Sequence, residues 1–341
     1  MAEGTSAFWR GSGRLPEGII YPELVHSGMV ETLVQNTDAF NAASRNAIRL
    51  VTARRMGDFA QESFFKNVTN LVNRRAVNAS PDNAAVNSSN VPMDETISVK
   101  LNRRIGPFDQ TLDSFRKLGR NADMEVLSML LGEQIAKAVQ VDQLDAGLES
   151  VVAALTNQPN VYLNLGDSPS STITTDLLVQ TLAKFGDAAS RIAVWVMHSK
   201  VFFNLVQQQI AANIDGVSNF NVASASPITL NRPVLVTDSA ALEVTGSPTP
   251  TEYITLGLTA DAVTLEDSEE EFMYSDLITG RENMVVRLQG EFAYNVGVKG
   301  FKWDTANGGI NPTNASLGTG TNWDSVMDSY KDFAGVALKT L

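Results

Sequence analysis

The 341-residue sequence contains no cysteine, which excludes disulfide bonds, thiol nucleophiles, iron–sulfur clusters and thiolate zinc sites. Its only two histidines, His26 and His198, lie in different segments. Ser199 adjoins His198, but we interpret it as a helix N-cap rather than as a nucleophile paired with the imidazole. P-loop, nucleophile-elbow, zinc-protease and dinucleotide-binding motifs are also missing. The sequence therefore predicts no catalytic residue, no metal ligand and no cofactor.

Long apolar runs are missing as well. The longest strongly apolar stretch covers residues 192–197, whereas a membrane-spanning helix needs about 20 residues. The first 21 residues contain Glu3, Arg10, Arg14 and Glu17 and lack the apolar core of a signal peptide. Because 43% of the residues are hydrophobic, an ordinary buried core is expected. We expect a soluble protein with no membrane partner.

Positive charge is scarce, with 26 Lys and Arg against 38 Asp and Glu and a net charge of -12. This balance makes general nucleic-acid binding unexpected. Residues 1–120 hold 15 Lys and Arg against 12 Asp and Glu, whereas the remainder holds 11 against 26. A basic front segment can attract the acidic body of a neighbouring subunit, although solvated residues without a partner would show the same pattern. The candidate inter-subunit contacts are Arg54, Arg55, Arg74, Arg75, Arg103, Arg104, Arg116, Lys117 and Arg120.

The N-terminal 120 residues predict an arm followed by a long hairpin. Pro16 and Pro22 interrupt the start, and Ser27 or Thr37 are suited to cap short helices. Residues 64–77 are rich in Phe, Val and Leu, and residues 95–105 alternate between apolar and polar, so both are predicted strands. The polar segment between them, 78–93, lacks the apolar residues needed to order itself. Since a long two-stranded ribbon is marginally stable alone, we expect it to lie on a partner.

Residues 121–155 carry apolar side chains at mainly three- and four-residue steps, which predicts one long amphipathic helix of about 50 Å. Gly132 and Gly147 leave two helices in tandem as an alternative. We interpret Asp142, Asp145 and Glu149 as its solvent-facing side.

Beyond residue 172 the pattern alternates between helix and strand. It predicts a helix at 175–185, a buried strand at 191–198, a helix at 199–212 and a strand at 233–238. Residues 253–303 are predicted to form antiparallel strands, and a Gly- and Asn-rich loop at 308–320 leads to a short apolar ending.

This order of elements resembles the major capsid proteins of tailed bacteriophages, which have the Hong Kong 97-type fold. The resemblance covers nearly the whole chain and includes five short sequence segments. Its segments are Ile192-Ala-Val-Trp-Val-Met-His-Ser199, Arg232-Pro-Val-Leu-Val-Thr-Asp238, Val298-Lys-Gly-Phe-Lys-Trp303, Asn311-Pro-Thr-Asn-Ala-Ser-Leu317 and Asn322-Trp-Asp324.

The resemblance implies an α+β fold divided into five segments. These are an N-terminal arm at 1–59, an extended β-hairpin loop at 60–118, a peripheral domain with a spine helix at 119–160, a mainly axial α/β domain at 161–294, and a return to the peripheral domain with a C-terminal tail at 295–341.

The implied function is self-assembly, as pentamers and hexamers, into an icosahedral shell of the virion that encloses double-stranded DNA without sequence-specific binding. The implied partners are other copies of the chain, a portal, a decoration protein and a separate scaffolding protein, since no highly charged helical segment precedes the arm. Assembly would take place in the host cytoplasm. Some members of the family cross-link a loop lysine to a neighbour, and Lys66 and Lys100 are the lysines of the hairpin strands.

Three alternatives stay open at this point. An encapsulin would have a similar fold but would enclose enzyme cargo. A hydrolase would use a pair of carboxylates that the sequence does not identify. A phage tail or decoration subunit would form tubes or trimers.

Overall fold

A computed structural model of the chain describes most of its residues. The described ranges are 21–53, 55–66, 68, 71–72, 90–111, 124–165, 172–215, 229–244, 251–268, 272–280 and 282–341.

Within these ranges the chain is a mixture of helices and strands. The first half contains α1 (Pro22–Ala43), β1 (Ile48–Thr52), β2 (Phe59–Phe65), β3 (Met93–Thr111), α2 (Met124–Thr156), β4 (Tyr162–Leu163), α3 (Thr175–Ala183), β5 (Ile192–Met197) and α4 (Ser199–Asp215). The second half contains β6 (Val234–Val236), β7 (Tyr253–Thr259), β8 (Val263–Asp267), β9 (Phe272–Ile278), β10 (Val285–Val298), β11 (Phe301–Trp303), α5 (Asn314–Leu317), β12 (Trp323–Ser325) and β13 (Gly335–Thr340).

Two main sheets carry most of the strands. The six-stranded sheet has the order β1-β8-β10-β3-β2, and β9 follows β8 along the same side of β10. The five-stranded sheet has the order β4-β13-β7-β5-β6. β8 and most of β10 lie in the predicted axial segment 161–294, yet they pair with β1 and β3 of the first 120 residues, and β9 joins the same sheet through β10. β13 of the C-terminal segment pairs with β7, so each sheet combines strands from several predicted segments.

The predicted spine helix is confirmed as a single element, α2, of 33 residues, and the alternative of two tandem helices is wrong. Its glycines mark close packing instead of helix ends. A Cβ atom on Gly132 would lie 2.2 Å from the carbonyl oxygen of Val25 in α1, and one on Gly147 would lie 3.2 Å from the Val263 side chain of the sheet. Glycine therefore allows α1 and the sheet to approach the backbone of α2 closely.

The N-terminal helical region differs from the prediction. One 22-residue helix, α1, replaces the expected short helices, and Ser27 and Thr37 lie inside it instead of capping it. Pro22 occupies its first turn, where a missing backbone N–H costs nothing. Val25 and Met29 are fully buried, so packing against the core stabilises this helix.

The predicted hairpin pairing is confirmed, but the position of its first strand is wrong. β2 covers Phe59–Phe65 and pairs antiparallel with the beginning of β3, whereas the prediction began at residue 64. β3 extends to Thr111 because its second half pairs with β10. The predicted polar tip lies mostly outside the described residues.

The alternation of helices and strands after residue 172 is confirmed by α3, β5, α4 and β6. β5 and β6 are parallel, and β7 joins the other side of β5 antiparallel. The hydroxyl of Thr174 accepts a hydrogen bond from the backbone N–H of Leu177 at 3.2 Å and caps α3. The strand-rich pattern predicted for 253–303 is confirmed by β7 to β11.

No helix in the described ranges has both the length and the apolar character to span a membrane.

The contact between α1 and α2 predicts the effect of a single methyl group at Gly132. Gly132→Ala should lower the free energy of unfolding by about 2 kcal/mol, since overpacking against the Val25 backbone outweighs the gain of about 1 kcal/mol in helix propensity. Gly147→Ala, in the same helix, meets only side chains that can shift and should change stability by less than about 1 kcal/mol. Urea unfolding followed by circular dichroism measures both; equal effects would contradict this account of Gly132.

Candidate functional site

Three of the nine candidate contact residues lie within the described ranges: Arg55, Arg103 and Arg104. The other six lie outside them: Arg54, Arg74, Arg75, Arg116, Lys117 and Arg120.

Arg55 makes its ion pairs within its own subunit. Its Nε donates to Glu266 Oε2 at 2.8 Å, and its Nη2 donates to Glu62 Oε1 at 2.7 Å. The hydrogen bonds to Glu266 and then to Glu62 raise the pKa of the guanidinium above its ordinary value. Because Glu266 belongs to β8 and Glu62 to β2, Arg55 connects two strands that are not neighbours in the sheet.

Arg103 is also a structural residue. Its Nε donates to Asp142 Oδ2 of α2 at 3.0 Å, and its Nη2 donates to Asn314 Oδ1 at the start of α5 at 2.5 Å. The hydroxyl of Tyr294 in β10 donates to the same Asp142 oxygen at 2.7 Å. Burial raises the pKa of Tyr294 strongly and the Asp142 carboxylate raises it further, so the hydroxyl keeps its proton and remains a donor. One carboxylate thus connects β3, β10 and α2.

Arg104 faces the opposite side of the sheet from Arg103, because successive residues of a strand alternate. It is exposed, and in the cross-strand register it lies beside Glu291, which in turn lies beside Phe272. Phe272 and Tyr274 on this face are 66% and 60% exposed. A sheet face with two exposed aromatic rings and an arginine has the composition of a protein–protein contact.

An apolar patch at the far end of the hairpin was not predicted as a site. Phe65 and Met93 are directly opposite each other at the end of the β2–β3 pairing and are 72% and 66% exposed. Leu71, Val72 and Val91, which are close to these two residues in the sequence, are exposed too. The adjacent pair Phe64-Phe65 could have indicated this patch in the sequence. Consecutive strand residues point to opposite faces of a sheet, so the two rings cannot both be buried on one face. We call these five exposed residues the hairpin patch.

A groove of about 410 Å³ lies between α2 and the second half of β3. Its apolar lining includes Ile105, Leu131, Ile135 and Phe292. Arg103 and Arg104 also line the groove. Its lining is suited to apolar side chains rather than to charged ligands.

Lys66 is held by carboxylates. Its Nζ lies 2.9 Å from Asp94 and 3.6 Å from Asp328, and the hydrogen bond to Asp94 raises the pKa of the lysine. A protonated amine is not a nucleophile, and Lys66 therefore lacks the lowered pKa that a cross-linking lysine needs. Lys100 is buried in the sheet.

The interpretation of the acidic residues of α2 as a solvent-facing side is wrong, because all three are partly buried. Asp142 binds Arg103 and Tyr294, and Asp145 accepts a hydrogen bond from the Ser239 hydroxyl at 2.6 Å. Burial raises the pKa of the Glu149 carboxyl, and the neighbouring Asp145 raises it further. These carboxylates belong to the packing of the helix.

The helix cap proposed for Ser199 is formed by its neighbour. Nδ1 of His198 accepts a hydrogen bond from the backbone N–H of Lys200 at 3.2 Å, and the imidazole stacks on Tyr253 with ring centres 4.6 Å apart. Ser199 is the first residue of α4.

Comparison with known proteins gives one family and a set of similar structures. The family model described as "Gp13-like: Major capsid protein 13-like" matches residues 19–337. No curated protein sequence matches the chain. The capsid asymmetric unit of Cyanophage Pam1 is similar with a TM-score of 0.52 and 11% identity, covering 86% of this chain and 88% of that one. The likeness confirms the α+β fold of Hong Kong 97 type.

Two further structures resemble the chain more distantly. The capsid of Ralstonia phage GP4 has a TM-score of 0.46 and 11% identity and covers 88% of each chain. The acid-stable capsid of Helicobacter pylori bacteriophage KHP30 has the same TM-score and identity and covers 88% of this chain and 90% of its own. The encapsulin and hydrolase alternatives gain no support from these comparisons.

The opposite orientations of Arg103 and Arg104 predict unequal effects on stability. Arg103→Ala should lower the free energy of unfolding by about 2–3 kcal/mol, because it leaves the partly buried Asp142 carboxylate without its cation. Arg104→Ala should change it by less than about 0.5 kcal/mol, as expected for an exposed residue. Equal losses for the two variants in urea unfolding would contradict the assignment of Arg103 to the packing of α2.

The raised pKa of Glu149 predicts a pH-dependent stability. A carboxyl whose pKa is higher in the folded chain binds its proton more tightly when folded, so its ionisation destabilises the fold. Glu149→Gln should therefore unfold at a higher temperature than the wild type at pH 7. This gain should disappear as the pH falls below about 4.3, the ordinary pKa of glutamate. Glu149→Asp retains the charge and should retain the pH dependence; a gain for Glu149→Gln that is equal at both pH values would contradict the assignment.

Proposed function

The chain belongs to the Gp13-like major capsid protein family and is a structural shell protein of the virion, and we propose that its copies assemble as pentamers and hexamers into an icosahedral shell enclosing double-stranded phage DNA. The proposal includes assembly in the host cytoplasm with a separate scaffolding protein, a portal and a decoration protein as partners. It assigns the chain no enzymatic activity.

The observation that carries this proposal is the hairpin patch. Phe65 and Met93 are mostly exposed, and Val72 is 94% exposed. Exposed apolar side chains at the end of a strand pair are typical of protein–protein contacts, since exposure to water is unfavourable. A neighbouring subunit would cover them.

The hairpin extends beyond the strand that supports the rest of β3. β10 pairs with β3 only from Val99 onward, so the first six residues of β3 pair with β2 alone. Ion pairs of Asp94 with Lys302 and of Lys66 with Asp328, both at 3.6 Å, hold the hairpin to the rest of the subunit. These ion pairs fasten the hairpin to its own subunit, and the apolar patch is left for a second copy.

The five segments inferred from the resemblance are part of the same proposal. Residues 1–59 would act as the N-terminal arm and 60–118 as the extended loop. Residues 119–160 would supply the spine of the peripheral domain, 161–294 mainly the axial domain, and 295–341 the return and the tail. α2 supports this division as the longest helix of the described residues, with both α1 and the six-stranded sheet packed on it.

Among the basic residues, we propose Arg104 as an inter-subunit contact, together with Arg54, Arg74, Arg75, Arg116, Lys117 and Arg120. Arg104 is supported by its exposure and by the aromatic residues on the same face of the sheet. Arg55 and Arg103 use their guanidinium groups within the subunit, so any part they play in assembly would be indirect.

The double variant Phe65→Ser, Met93→Ser tests the proposal. It should yield a folded subunit that no longer forms closed particles, because the apolar surface that a neighbour would bury is gone. Negative-stain electron microscopy and light scattering of the same fraction measure the assembly, and circular dichroism measures the fold. Arg104→Glu should also stay folded and should slow assembly at low salt.

The matched control is Phe65→Leu, Met93→Leu, which preserves the apolar surface and should assemble as the wild type does. Two results would contradict the proposal: a wild-type chain that stays monomeric under all assembly conditions, or a serine variant that forms normal shells.

A further inference from the structure

β2 is an edge strand whose outer row of backbone groups is open. The backbone N–H of Lys66 donates to Pro92 O at 2.9 Å, and that of Lys100 donates to Asp58 O at 3.0 Å. In an antiparallel pair the hydrogen-bonded residues alternate, so even-numbered residues of β2 bond to β3. The N–H and C=O groups of Phe59, Gln61, Ser63 and Phe65 therefore point away from β3, and within the described part of the chain no partner meets them.

Two other edge positions of the same sheet, on β1 and on β3, are closed by side chains. The carboxamide of Asn41 donates to Leu50 O at 2.9 Å and accepts from Leu50 N–H at 3.0 Å, and the hydroxyl of Ser44 donates to Ile48 O at 3.2 Å. These contacts occupy the outer edge of β1. On β3, just past the end of β2, the N–H of Asn102 donates to the side chain of Asn311 at 2.9 Å. Proteins close exposed edges in this way to prevent unwanted pairing.

β2 itself has none of the usual features that block pairing. It contains no lysine and no proline, and its single charged residue, Glu62, is paired with Arg55. The side chains of Gln61, Ser63 and Phe65 are exposed, so nothing in the described subunit shields the outer edge. Among the elements of the described residues, β3 is the only one with which β2 has extensive contact.

We propose that the open edge of β2 adds an extended strand from a second copy of this chain, so that the sheet continues across the subunit boundary. This inference rests on the proposed function and deepens it, because it assigns the contact to main-chain hydrogen bonds as well as to the hairpin patch. A second copy is the occupant because self-assembly is the role of the family, and because the open edge ends at Phe65, which belongs to the hairpin patch. Main-chain bonds give affinity, and the adjacent apolar side chains give register.

Hydrogen–deuterium exchange of the full-length chain, unassembled and in purified shells, tests the inference at single-residue resolution by mass spectrometry with electron-transfer fragmentation. The amides of Gln61, Ser63 and Phe65 should exchange about 100-fold more slowly in shells than in the free subunit. The amides of Ala60, Glu62 and Phe64 bond to β3 in both states and serve as the internal reference. Equal exchange of the odd-numbered amides in both states would overturn the inference while leaving the proposed function intact. Absence of any shells would contradict the proposed function itself.

A matched pair of variants provides a second test. Ser63→Pro removes an N–H that the subunit does not use, whereas Ser63→Ala keeps that N–H and removes the hydroxyl. The proline variant should unfold near the wild-type temperature but need at least about 10-fold more protein to assemble, and the alanine variant should assemble normally. Equal assembly of the two variants would overturn strand addition at this edge.

Discussion

The close approach of two backbones at Gly132 is the contact on which the rest of the architecture depends. α1 lies against α2 at a distance that leaves no room for a Cβ atom, and Gly147 lets the same helix lie on β8. Because α2 is 33 residues long and contacts both, it sets the relative positions of α1 and the six-stranded sheet. The hairpin, which is an extension of that sheet, takes its direction from this packing.

The second constraint is electrostatic and lies in the interior. Asp142 of α2 receives Arg103 from β3 and Tyr294 from β10, so removal of water from a carboxylate is compensated by two donors from two strands. Asn314 accepts a hydrogen bond from the Nη2 of the same guanidinium, which connects the start of α5 to this ion pair. The neighbouring Arg104 takes no part, since strand alternation turns it to the other face. Two adjacent arginines therefore serve different purposes: one in folding, one available for a partner.

The contrast between closed and open edges has a physical meaning for a protein that must remain a separate subunit before it assembles. Side chains of Asn41, Ser44 and Asn311 satisfy backbone groups at edges where pairing would be unwanted. β2 lacks such side chains and ends in exposed apolar residues. A free subunit tolerates this arrangement because water satisfies the open groups, and a neighbour can replace that water without disturbing the core.

The local elements could be read from the sequence alone: the long helix, the second hairpin strand and the alternation after residue 172 follow from periodicity, which depends only on neighbouring residues. Together with the short sequence segments that resemble the family, the order of these elements also indicated the family. The packing role of Gly132, the pairing of Asp142 with Arg103 and the joining of β13 to β7 became visible only in the folded chain. These features depend on residues far apart in the chain, and a periodic pattern carries no information on which distant element fills the space beside a given face.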